Sequence, residues 1–112
     1  MKYRVSELTG EQLNHAVALA LGYGFHTFKD NSEPEYTTGH YGDCYLQSAW
    51  NPEHNWAQCG ELIDKFNITI EFEEDGVWFA SFYNDFGIEG ETAKQAICRC
   101  VVDSVFGDVV EL

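Results

Sequence analysis

A chain of 112 residues that is 45% hydrophobic and 15% aromatic has the apolar area for one packed core, so residues 1–112 are expected to form a single domain. Its 19 acidic side chains against 6 basic ones give a formal net charge of −13, which argues against direct binding to a DNA or RNA phosphate backbone. The same charge attracts a basic partner surface, while the blander reading is that it keeps a small protein soluble.

The opening MKYRVSELTG lacks the apolar stretch of a secretory signal, and no apolar run approaches the ~20 residues of a membrane span, so no membrane association and a cytoplasmic location are expected. Residues 3–5 allow a short strand. Over residues 10–21, Leu13, Ala16, Val17, Ala20 and Leu21 recur at helical spacing, with Thr9 and Gln12 placed as a capping box and Gly22 as the stop. Residues 23–42 are rich in Gly, Thr, Asn, Ser and Glu and read as a long surface connection, with a short strand near residues 24–28 and a mobile part over residues 30–42. An aromatic segment over residues 45–50 precedes the turn signal Asn51-Pro52.

A second helix is expected over about residues 55–66, where Trp56, Cys59, Leu62, Ile63 and Phe66 follow a helical period. Next, Ile68, Ile70 and Phe72 alternate with Thr69, Glu71 and Glu73, the pattern of a half-buried strand. Reading Glu74-Asp75-Gly76 as a three-residue loop pairs Glu73 with Val77 and sets Phe72 opposite Trp78, Ile70 opposite Ala80 and Ile68 opposite Phe82. That register puts the large apolar groups on one face, whereas a two-residue turn would put Ile70 against Ser81. The last helix, about residues 92–106, carries Ala93, Ala96, Ile97, Cys100, Val101, Ser104 and Val105 on one face, with Lys94, Gln95, Arg99 and Asp103 opposite and Gly107 at its end. The hairpin's apolar face is expected to pack on this helix.

Residues 55–64 (NWAQCGELID), the hairpin ITIEFEEDGVWFASF and the closing AICR…FGDVVEL resemble the NinX family of small bacteriophage proteins, and the opening KYRVSELTGEQLNHAVALALGYG fits that family's usual start. The hairpin and the AICR helix also look like the related phage α-β-α sandwich domains. The motifs lapse between Phe25 and Trp50. The resemblance implies a phage accessory protein working in the host bacterial cytoplasm and brings no catalytic assignment with it. Together with the periodicities it implies an α+β fold of order α-α-β-β-α, a small antiparallel sheet built on a central β-hairpin with helices packed against it in the manner of an α-β-α sandwich.

Chemistry-bearing motifs are sparse. Cys98 and Cys100 are two apart on a helix and face different ways, so thiols packed as small core residues are expected in place of a metal site. Nothing in the spacing brings Cys44 or Cys59 to His15, His26, His40 or His54, and the glycines form no phosphate-binding signature. No catalytic residue, cofactor or metal is therefore expected.

Binding is a better prospect. Residues 40–56, HYGDCYLQSAWNPEHNW, mix amphipathic rings with amides and imidazoles, which suits an interface or a small-ligand pocket; the competing reading is that the rings fold inward to anchor a long loop. On the outer face of the hairpin Phe79 and Tyr83 are expected beside Thr69, Glu71 and Ser81, an acidic aromatic patch for self-association or a partner if that face is uncovered and ordinary core if the first helix or the N-terminal strand covers it. The expected binding residues are Tyr41, Tyr45, Trp50, His54, Glu71, Glu73 and Phe79. The expected function is non-enzymatic binding of a host or phage protein, possessed of a basic surface and connected to counter-defence. The alternatives are an acidic mimic of nucleic acid that blocks a DNA-binding defence protein, and a small-ligand-sequestering protein.

Overall fold

A computed structural model describes residues 1–39, 43–82 and 87–112. It shows a mixed α+β fold of helices and antiparallel strands: β1 (Lys2–Arg4), α1 (Gly10–Ala20), β2 (Gly24–His26), β3 (Glu35–Thr37), β4 (Cys44–Leu46), α2 (Trp56–Phe66), β5 (Ile68–Phe72), β6 (Trp78–Phe82), β7 (Ile88–Gly90), α3 (Ala93–Phe106) and β8 (Val109–Glu111). Among the described residues the strands form three small sheets, β1-β8, β2-β3-β4 and β5-β6-β7, in place of the single hairpin-based sheet expected.

The alternating Ile68–Phe72 run pairs with Trp78–Phe82 in the expected register, Phe72 opposite Trp78, Ile70 opposite Ala80 and Ile68 opposite Phe82. The loop is the three-residue form: Glu73 N–H donates to Val77 O at 2.8 Å, and Gly76 takes a φ of 77°, which any side chain there would resist.

Helix α3 is the organising element. Gln95, Ala96, Ile97, Cys98, Cys100, Val101 and Val102 are all buried, more than one helical face can hold, because α3 meets α1 and α2 as well as β6 and β7. The middle layer is thus a helix. Gln95, expected on the solvent side, is buried because its side chain is satisfied there: Oε1 accepts from Glu91 N–H at 2.8 Å and Nε2 donates to Glu53 at 3.2 Å.

Two further expectations are corrected. Helix α1 is not closed by a capping box, since Thr9 makes no cap bond and Gln12 donates instead to Tyr3 Oη at 3.2 Å; the buried carboxylate of Glu53 accepts from Gly10 N–H in its place. Of the expected mobile segment 30–42, residues 40–42 lie outside the described residues, and the described part is not simply a connection, for it contains β3, whose Tyr36 is 1% exposed. The C-terminal end of α1 follows expectation, with Gly22 N–H donating to Leu19 O and Tyr23 N–H to Ala18 O.

Burial fades along the hairpin. Ile68 and Ala80 are buried, Ile70 and Trp78 half-buried, and Phe72 is 59% exposed. Because α3 lies chiefly over β6 and β7, the edge strand β5 runs out from under it, and the apolar face expected to be wholly covered ends in an open aromatic pair.

Candidate functional site

The expected binding residues fall in two places. Tyr45 and Trp50 belong to a cluster of rings between α1 and the sheet β2-β3-β4: Trp50 lies 5.4 Å from Tyr23, 6.5 Å from Tyr36 and 5.0 Å from Tyr45 between centroids, and Phe25 lies 5.0 Å from Tyr36. Trp50 is only 4% exposed, and its indole N–H donates to Asn14 O at 2.8 Å, so it sits as an anchor between helix and sheet. Tyr45 is half-buried. Tyr41 and Tyr83 lie outside the described residues.

The turn after Trp50 is tied to α1 by polar bonds. Asn14 Nδ2 donates to Asn51 Oδ1 at 2.9 Å, and Glu53 N–H donates to Asn14 Oδ1 at 3.1 Å. The Glu53 carboxylate, 3% exposed, accepts from Gly10 N–H at 3.1 Å, Thr9 Oγ1 at 3.3 Å and Gln95 Nε2 at 3.2 Å, where the α1 macrodipole favours negative charge. His54 stays exposed, its Nδ1 3.2 Å from Asn51 Oδ1. Beside it a polar depression of about 400 Å³ is lined by Gly10, Glu11, Asn14, Glu33, Gln47, Ser48, Trp50, Asn51 and His54.

A second, mainly apolar hollow of about 300 Å³ shares Glu11 and Gln47 with the first and is completed by Gln12, His15, Phe25 and Leu112. His15 is its distinctive group. Its Nδ1 lies 2.7 Å from the Tyr36 hydroxyl, and Phe25 meets its ring edge-on at 4.9 Å. Burial lowers the His15 pKa, with Glu11 opposing; burial, reinforced by Glu11, pushes the Tyr36 phenol up to about 12. The pair is therefore a neutral imidazole beside a protonated phenol at neutral pH. Sequence spacing had no means of bringing His15 to Tyr36, which are 21 positions apart.

The remaining expected residues lie on the hairpin: Glu71 and Glu73 are exposed and Phe79, on the outer face, is half-buried against Gly87. On the other face the Phe72 and Trp78 rings meet at 4.9 Å, and the turn that follows Phe72 carries three exposed acidic residues, Glu73, Glu74 and Asp75.

The thiols are arranged for packing. Cys59 and Cys98, on α2 and α3, hydrogen-bond each other; that bond lowers the Cys59 pKa, and the same bond together with burial raises that of Cys98. Cys100 is also buried, whereas Cys44 is exposed. A native thiol titration with an aromatic disulfide reagent should thus modify Cys44 rapidly and the other three only after denaturant is added. Among the described residues no three His, Cys, Asp or Glu side chains gather as a metal site, and no helix is long and apolar enough to cross a membrane.

A family model described as Bacteriophage P22, NinX matches residues 4–104. The matched span includes residues 25–50, where motifs alone show no likeness. No curated protein matches the chain.

Proposed function

The chain belongs to the bacteriophage P22 NinX family, and from that premise we propose that it is a non-enzymatic phage accessory protein that binds a host or phage protein through the open end of its β5–β6 hairpin. The observation that supports this is the exposure of Phe72, 59%, in tilted ring contact with Trp78 at the end of the hairpin whose turn carries the exposed Glu73, Glu74 and Asp75. An apolar aromatic pair beside fixed negative charge suits a partner with an apolar recess rimmed by Lys or Arg, where the rings supply contact area and the carboxylates speed encounter. A host protein that ordinarily receives nucleic acid has a basic surface to which that charge is complementary, which gives a counter-defence role a physical basis.

The test is capture from host lysate on immobilised protein at low and high salt, with Phe72→Ser in parallel. Being exposed, Phe72 should cost about 1 kcal/mol of stability or less when replaced, so the variant remains folded. The proposal expects a band retained by the native protein and lost by the variant. Undiminished retention by Phe72→Ser would refute it. If retention instead vanishes for both at high salt and survives the substitution at low salt, charge alone carries binding and the nucleic-acid mimic becomes the better reading.

A further inference from the structure

The hollow at His15 has features that the hairpin reading does not use. Tyr36 is buried, its oxygen accepts a hydrogen bond from the Gln47 side chain, and His15 Nδ1 lies 2.7 Å away; the tautomer assigned is the one in which the phenol donates to Nδ1. A neutral imidazole that accepts at Nδ1 carries its own proton on Nε2. Among the described residues no hydrogen bond is made by Nε2 of His15, and His15 lines a hollow together with Phe25, Leu112, Gln12 and Gln47. One turn earlier on the same face of α1 stands the exposed carboxylate of Glu11, and side chains at that spacing lie about 5–6 Å apart.

We propose that this hollow binds a small amphipathic organic cation, an aryl alkylamine whose hydrogen-bond acceptor meets His15 Nε2–H, whose ring packs on Phe25 and Leu112, and whose ammonium faces Glu11. The volume of about 300 Å³ is at the small end of ligand sites, which sets the size at roughly ten non-hydrogen atoms. Charge decides the sign of the ligand: with a net −13 on the chain and Glu11 at the rim, a cation is concentrated at the site and an anion of the same shape is repelled. Tyr36 is a positioning residue here, holding the imidazole tautomer without touching the ligand.

Three commercially simple amines and acids separate these contributions. Tyramine has ring, hydroxyl and ammonium; phenethylamine lacks the hydroxyl; 4-hydroxyphenylacetate replaces the cation by an anion. Titrations followed by the ring resonances of ¹⁵N-labelled His15 should show saturable shifts with tyramine at a Kd of about 1 mM or below, as expected for so small a ligand. Phenethylamine should bind several-fold more weakly, and 4-hydroxyphenylacetate should not saturate. Glu11→Gln, an exposed position whose change leaves the fold intact, should weaken tyramine about three- to tenfold. Tyr36→Phe should shift the His15 tautomer and cost tyramine affinity while phenethylamine, which does not use the N–H, is unchanged. The proposal is overturned if tyramine fails to saturate at about ten times the expected Kd, if the acid binds as well as the amine, or if Glu11→Gln changes nothing.

Discussion

Trp50→Ala is expected to destabilise the protein by about 3–5 kcal/mol, the range for truncating a large buried aromatic. The indole fills the centre of the ring cluster formed with Tyr23, Tyr36 and Tyr45, and its N–H supplies a bond to Asn14 O that no smaller side chain replaces. A loss of that size lowers the melting midpoint by more than about 10 °C in a domain of this length. Trp50→Phe retains part of the packing and loses the hydrogen bond, so it should fall between native and Ala. Thermal melts followed by circular dichroism test both; an unchanged midpoint for Trp50→Ala would show that the ring is a surface contact and would return it to the list of direct binding groups. His54→Ala, at the exposed end of the same segment, is the control that should leave the stability within about 0.5 kcal/mol of native.

Gly90→Ala should be nearly as damaging although it adds a single methyl. A Cβ at Gly90 would stand 2.4 Å from Ala96 N and 2.8 Å from Ala96 Cα, contacts with helix backbone that no rotamer change relieves. The end of β7 crosses the first turn of α3 there, so either strand or helix must retreat, and overpacking of this kind costs about 3 kcal/mol. Because Trp78 is the residue paired with Gly90, the retreat is expected to loosen the β6–β7 ladder, which urea denaturation and amide exchange at Trp78 and Ala80 would report. A Gly90→Ala protein as stable as the native one would mean that β7 does not approach α3 so closely.

The parts of this fold that were legible in the sequence are those where one period dominates. Ile68, Ile70 and Phe72 alternate without a break, and Gly76 leaves only one loop length that keeps their faces aligned, so hairpin and register followed. The stripe Leu13, Ala16, Val17 placed α1 in the same way, and all three are fully buried. Strand β3 was hidden because Tyr36 is a lone apolar residue between Glu35 and Thr37, and a single ring between polar neighbours has no period. Gln95 was misjudged, and Glu53 passed over, for a different reason: a buried polar side chain satisfied by a partner about 40 positions away reads in the sequence like any solvated one. The candidate site shares that obscurity. Its pairing of His15 with Tyr36 depends on β3 lying across α1, a relation that the alternation and spacing rules cannot express.

The pairing of β1 with β8 joins Lys2 to Glu111 and Arg4 to Val109, residues at opposite extremes of the described chain. Such a ribbon cannot nucleate early. Closing so long a loop is not itself prohibitive, since each doubling of loop length adds only about 0.6 kcal/mol, but three residues per strand return too little to offset it alone. The hairpin β5–β6 needs only its tight turn and is expected to form before α3 adds the area that draws α1 in, with the ribbon expected to close last. Val5 N–H, which donates to Asp108 O at 2.9 Å, marks the seam where that last closure meets the packed interior.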